Sequence, residues 1–185
     1  MLRKKIRIAG IPALLLSIVI INLGCQRDDI CPASTVTTPM LNIAFFDAEE
    51  TDVPKPPVNL RVKAVDYDSV YVNRYNQSTI SIPLRTDVDI TQYEFTINAP
   101  ELPAEGEEEI PGENTNMDVL TFTYNANRIY VNRACSYKVN YLDFQARLEI
   151  DENNWINSVL PEDGIEDIEV DIIGNEVQTH INIYH

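Results

Sequence analysis

Cysteine thiols, paired carboxylates and one tryptophan are the side chains here with the most chemical scope, and each admits more than one use. The cysteines stand at 25, 31 and 135. A nucleophilic cysteine needs a nearby base, and the only imidazoles are His180 and His185. Two histidines also make a His-rich zinc or iron site an unfavourable reading. Carboxylates are abundant. Asp66-Tyr67-Asp68 and Asp87-Val88-Asp89 each put two of them on one side of an extended chain, where the oxygens of a calcium site could converge. Asp151-Glu152-Asn153-Asn154 is another oxygen-rich turn. None has the glycine and late glutamate of an EF-hand loop, so solvated turn carboxylates are expected, with no metal and no cofactor. The sequence holds no nucleophile elbow, phosphate-binding loop, dinucleotide-binding glycine pattern or HExxH. A hydrolase built on scattered carboxylates remains only as a third reading, since such pairs are recognised in space.

Binding chemistry has more candidates. Trp155, among Asn153, Asn154 and Asn157, is the best single platform for stacking a sugar ring, and nine tyrosines could extend it. Most of those tyrosines alternate within strand-like segments, where they serve equally as cross-strand and core residues. His180 shares one face of a strand with Gln178, Asn182 and Tyr184, opposite Val177, Thr179, Ile181 and Ile183. A surface or edge histidine is therefore expected.

The N-terminus sets the compartment. Arg3, Lys4, Lys5 and Arg7 precede an uncharged, mostly apolar stretch over 8–24. This is the basic and apolar pair of an export signal, although its 17 residues also approach a short membrane anchor. Leu23-Gly24-Cys25 resembles the end of a bacterial lipobox, with Asn22 where that motif carries an aliphatic residue. Lipidation at Cys25 would hold the chain stably on a membrane. Asp28-Asp29 then resembles the surface-export signal of Bacteroidetes lipoproteins, and a charged linker reads equally well. Asp68-Ser69-Val70 resembles the O-glycosylation site that the same clade uses on exported proteins, which makes Ser69 a candidate.

Cleavage before Cys25 leaves 29 acids against 10 bases, a net charge of −19 over 161 residues. Such a chain is a poor partner for nucleic acid, which needs clustered Lys and Arg. With Cys25 acylated in an oxidising compartment, Cys31 and Cys135 remain to form a disulfide; two free thiols are the alternative. The closed loop is long, and the chain-entropy model allows about 4–5 kcal/mol at most.

Beyond residue 40 the vocabulary is that of strands. Short segments rich in Val, Ile, Thr and Tyr alternate at 41–45, 58–65, 70–72, 79–84, 93–97, 119–124, 128–131, 137–150, 168–172 and 177–183. Residues 154–160 suit a short helix or another strand. No segment after residue 25 sustains a 3.6-residue apolar period. The fold class expected is all-β, an antiparallel two-sheet β-sandwich, Ig-like or jelly-roll-like. Its organisation is a signal peptide over 1–24, a lipidated tether over 25–40 and the sandwich over 41–185. Residues 47–57, with Asp47, Glu49, Glu50, Asp52 and three prolines, and the glutamate-rich 100–117 read as solvated loops.

Several pieces resemble one family. Cys25 to Cys31 is followed by Thr37-Thr38-Pro39, then by Arg133-Ala134-Cys135 and an ending Thr179-His180-Ile181-Asn182-Ile183-Tyr184-His185. This pattern resembles the DUF6452 family of Bacteroidetes lipoproteins. The resemblance implies a Flavobacteriia-like source, lipid attachment at Cys25 and pairing of Cys31 with Cys135. It implies no activity, and it singles out Arg133, His180 and Tyr184 as candidate contacts without giving them roles. The expected function is noncatalytic: an outer-membrane, lipid-anchored module, cell-surface exposed, that binds or scaffolds an envelope protein such as a transport or assembly complex. A carbohydrate-binding module is the alternative. Intact-mass spectrometry of the membrane fraction checks the leader. The mature chain should begin at an acylated Cys25 and gain two hydrogens on reduction.

Overall fold

A computed structural model describes residues 30–35, 37–65, 67, 69–104, 106–108, 110, 112–161 and 178–185. The signal peptide, Cys25, Asp28-Asp29, Asp66, Asp68 and the expected strand at 168–172 lie outside the described residues. Those residues contain nine strands and no helix. They are β1 (Leu41–Phe46), β2 (Leu60–Ala64), β3 (Val70–Tyr75), β4 (Thr79–Ile82), β5 (Ile90–Ile97), β6 (Asn116–Asn132), β7 (Ser136–Leu148), β8 (Ser158–Pro161) and β9 (Ile181–Tyr184). One sheet has the order β4-β1-β9-β8 and the other β3-β2-β5-β6-β7. The architecture is an all-β two-sheet sandwich.

The period-2 alternation does what it must in a half-buried sheet. Leu41, Ile43 and Phe45 of β1 face inward, as do Tyr93 and Phe95 of β5, Leu120, Phe122 and Tyr124 of β6, and Ile181 and Ile183 of β9. The segments 119–124 and 128–131 are one strand, since β6 runs unbroken to Asn132. Residues 154–160 resolve into β8, which begins at Ser158. The ladders are antiparallel with one exception: β1 and β9 run parallel, Ile43 beside Ile181 and Phe46 beside Tyr184.

In β7 the alternation slips. Val139 and Tyr141 are buried, but the next buried side chain is Phe144, with Ala146 and Leu148 packed behind it. The slip occurs at Asp143, whose φ of 51° is left-handed. One extra residue in a strand reverses which face the following side chains take. The Asp143 carboxylate accepts a hydrogen bond from Asn125 Nδ2 on β6, and a short polar side chain is among the few that tolerate this φ.

Tyrosine hydroxyls secure the crossing from β4 to β5, where the chain changes sheets. Tyr93 Oη donates to Pro83 O at 2.7 Å, Tyr141 Oη to Leu84 O at 3.0 Å, and Tyr124 Oη to Arg85 O at 2.9 Å. The Arg85 N–H donates to Thr91 Oγ1 at 3.0 Å. These carbonyls lie outside any ladder and close to the core, so they need partners from elsewhere.

The described residues 30–35 and 131–136 group as a compact unit apart from the sandwich. Its described part holds a Cys31–Cys135 disulfide with Cα atoms 4.7 Å apart, as the cysteine reading expects. The turn between β6 and β7 is closed by the Cys135 N–H, which donates to Asn132 Oδ1 at 2.8 Å. Within the sandwich, the Val139 N–H of β7 donates to Thr38 Oγ1 at 3.0 Å, which partly covers an edge strand.

Burial pushes the Tyr93 phenol up to about 12 and raises those of Tyr141 and Tyr124. The unfolded chain ionises near pH 10, so this stability is fully present below pH 10 and is lost as pH rises toward 12. Tyr141→Phe should lower the unfolding free energy by about 1–3 kcal/mol in urea titrations, because Leu84 O loses its donor. Tyr137→Phe, at an exposed position, should change it by less than about 0.5 kcal/mol.

Candidate functional site

The clamped crossing forms the floor of a cleft. Its walls come from the end of β2 at Ala64, the start of β3 at Val70 and Tyr71, and Thr91 to Tyr93 of β5, with Tyr67 and Ser69 at the rim. The cleft volume is about 370 Å³. Tyr93 and Leu84 are buried at its base, whereas Tyr67 and Tyr71 remain 50% and 43% exposed. The Arg85 guanidinium lies 6.0 Å from the Tyr67 ring centroid, within reach of a cation–π contact. It also bonds Asp87 through Nε and Nη2 at 3.2 and 2.9 Å. That ion pair holds the Asp87 carboxyl below its ordinary range. Tyr71 Oη donates to Ser81 O at 2.9 Å and so links β3 to β4 across the two sheets. Gln92 Nε2 donates to Thr121 Oγ1 at 2.9 Å and Glu149 Oε1 at 3.0 Å. The cleft thus offers two open aromatic rings and one guanidinium on a fixed floor. This is the chemistry of reversible binding to a partly apolar, polar-edged group.

Sequence reasoning placed its candidate binding residues elsewhere. Trp155 is buried, and its Nε1 donates to Phe95 O at 2.9 Å. The edge of its ring system meets the His185 imidazole at 5.3 Å. An indole enclosed in this way presents no face for a sugar, which corrects the platform reading: Trp155 is a core residue. The asparagines beside it build a turn instead. Asn154 Oδ1 accepts from the Asp151 N–H at 2.8 Å, and Asp151 Oδ1 accepts from the Asn153 N–H at 2.7 Å.

His180 is not on the surface. It is 6% exposed and precedes β9, which begins at Ile181 rather than at 177. Its N–H donates to Asn42 O, and its ring Nδ1 accepts from the Asn42 N–H, both at 2.9 Å. The imidazole therefore extends the β1–β9 ladder by one rung. Tyr184 stacks on Phe46, with centroids 5.8 Å apart, and Arg133 is exposed in the β6–β7 turn. Trp155, His180 and Tyr184 thus serve three separate packing roles. Ser69 is exposed at the cleft rim. Asp89 is committed as well, its Oδ1 accepting from the Ala126 N–H at 3.1 Å.

Two polar arrangements escaped the sequence reading. Lys55 Nζ bridges Asp47 Oδ2 at 2.9 Å and His185 O at 2.7 Å, while His185 Nε2 donates to Lys55 O at 3.0 Å. The Lys55 hydrogen bond, then the Glu49 and Glu50 amides, hold Asp47 at about 2. Burial lowers the His185 imidazole. The second arrangement is Asp118, 1% exposed, whose Oδ2 accepts from the Ile156 N–H at 2.8 Å. Burial raises its carboxyl against the effect of that bond. An aspartate in phase with Leu120 and Phe122 was the available signal. Among the described residues no three His, Cys, Asp or Glu side chains are grouped to hold a metal ion.

Burial drops the His180 imidazole from 6.5 to about 4. The unfolded chain therefore takes up this proton near pH 6.5 and the folded chain only near 4. The contribution is fully present above pH 6.5 and is lost as pH falls toward 4. At pH 4.5 the loss relative to pH 7 should amount to about 2–3 kcal/mol. His180→Asn keeps an acceptor for the Asn42 amide but cannot titrate. Urea titrations at pH 7 and 4.5 should show the wild type losing that much more stability than the variant.

No curated protein and no solved structure matches the chain. The model of a family of unknown function, DUF6452, matches residues 59–185. The matched stretch carries eight of the nine strands and every residue lining the cleft. The chain belongs to the DUF6452 family.

Proposed function

We propose that this protein is a noncatalytic binding module, lipid-anchored at the outer membrane through Cys25, which engages an envelope protein partner through the cleft at Tyr67, Tyr71 and Arg85. The observation that carries this reading is the combination of open rings and a fixed floor. Tyr67 and Tyr71 keep about half their surface exposed, while hydrogen bonds from three buried phenols hold the segment beneath them. Aromatic side chains and arginine on a preorganised surface are the residues that supply most of the energy at protein interfaces. The export signal and the acidic, nucleic-acid-averse composition support an envelope location.

A glycan is the second reading, favoured by the same rings with the Arg85 guanidinium beside Tyr67. Ring stacking and planar hydrogen-bond donors suit a sugar as well as a protein side chain. It now rests on Tyr67 and Tyr71 and no longer on Trp155.

A photo-crosslinking residue at position 67 separates the two. In gently solubilised membranes it should yield a discrete protein adduct, absent when the crosslinker stands at exposed Val53. Adding Tyr71→Ala should weaken capture roughly tenfold, as expected for loss of one well-packed aromatic contact. No adduct, together with a glycan-array signal that Tyr67→Ala removes, would replace the protein partner by a sugar.

A further inference from the structure

We infer that the β6–β7 hairpin, at the end bearing Tyr130 and Tyr137, rests on the anionic surface of the bilayer as a second, noncovalent membrane contact. This rests on the proposed acylation at Cys25. Three observations converge on it.

The first is a pair of aromatic rings facing solvent. Tyr130 and Tyr137 are 58% and 62% exposed, with ring centroids 5.4 Å apart, edge to face. Tyrosine is enriched where membrane meets water, because its ring suits the headgroup layer and its hydroxyl stays wet.

The second is charge. The chain carries 29 acidic residues, yet residues 119–142 contain none, only Arg128, Arg133 and Lys138. On the same hairpin Asp143, six residues from Tyr137, bonds Asn125, and the acidic turn at Glu149, Asp151 and Glu152 belongs to the other end, because the Glu149 N–H bonds Val119 O. Twelve residues of strand separate Tyr137 from Glu149, roughly 40 Å. Asp89 meets the hairpin at Ala126, away from its turn, so among the described residues the turn end carries Arg133 and Lys138 next to the two tyrosines and can approach anionic lipid.

The third is the tether. Only residues 26–30 lie between Cys25 and Cys31, a span of at most about 20 Å when fully extended. Cys31 is covalently bound to Cys135, two residues from Tyr137 along the chain. Acylation therefore confines this end of the hairpin near the headgroups, where even a weak surface affinity is expressed in full.

The test uses the full acylated chain carrying Tyr130→Trp, in vesicles of phosphatidylcholine and phosphatidylglycerol with brominated acyl chains. Trp155, buried in the core, is the internal reference. The introduced indole should be blue-shifted and quenched, while the parent chain is not quenched. Arg128→Glu with Lys138→Glu should remove most of that quenching, as should vesicles of phosphatidylcholine alone. Intact mass on the same sample reports the acyl group and the disulfide. An acylated, oxidised protein without quenching overturns the surface contact and leaves the anchor standing. An unmodified Cys25 overturns the anchor, and the surface contact with it.

Discussion

Three phenol hydroxyls reaching three successive carbonyls, at 83, 84 and 85, govern how the two layers of this sandwich are joined. A chain that leaves one sheet for the other must bring peptide groups past the core with no ladder to satisfy them. Here the donors come from the facing strands themselves. Tyr93 on β5, Tyr124 on β6 and Tyr141 on β7 are each in phase with the core, so their rings fill it while their hydroxyls protrude just far enough to meet the crossing. A phenylalanine would pack as well and leave a carbonyl stranded. The arrangement also decides the function proposed, because the segment it immobilises is the floor of the cleft.

Much of this was legible because alternation is a property of the local sequence. The inward faces of β1, β5 and β6 can be read directly, whereas the slip in β7 is blurred by Tyr141 and Leu142, adjacent apolar residues that suit either phase. Nothing local, however, says that β9 lies parallel to β1. That pairing joins residues 138 apart, and it is what turns His180 from a solvent-facing residue into part of a ladder. Trp155 was misplaced for a related reason. Its polar neighbours suggest a surface, but they close a turn on themselves and leave the indole to the core. The cleft was the least legible feature. Nine tyrosines share one composition, and only the fold sorts the clamping hydroxyls of Tyr93, Tyr124 and Tyr141 from the open faces of Tyr67 and Tyr71.

The acidic loops show a similar division between composition and placement. The described residues of 101–110 are exposed, as a glutamate-rich segment should be. Both ends of the loop are nevertheless held. Arg61, buried beneath it, donates to Pro100 O at 2.9 Å and to Asn73 Oδ1 at 2.8 Å, and Arg74 pairs with Glu101 at 2.9 Å. At the far end, Thr115 Oγ1 donates to Asn98 O at 3.1 Å and Asn98 Nδ2 to Asn114 O at 3.0 Å. The loop thus begins and ends on fixed points.

Strand β9 sits between β1 and β8, with a parallel neighbour on one side and an antiparallel one on the other. Without it these two strands share no hydrogen bond, and the four-stranded sheet does not exist. A growing chain therefore cannot close its sandwich until residues 181–184 have emerged. Contacts between residues this far apart in sequence also form slowly. For the exported module proposed above that order of events would be useful, since a polypeptide that has not yet closed its sandwich stays threadable while it is being moved.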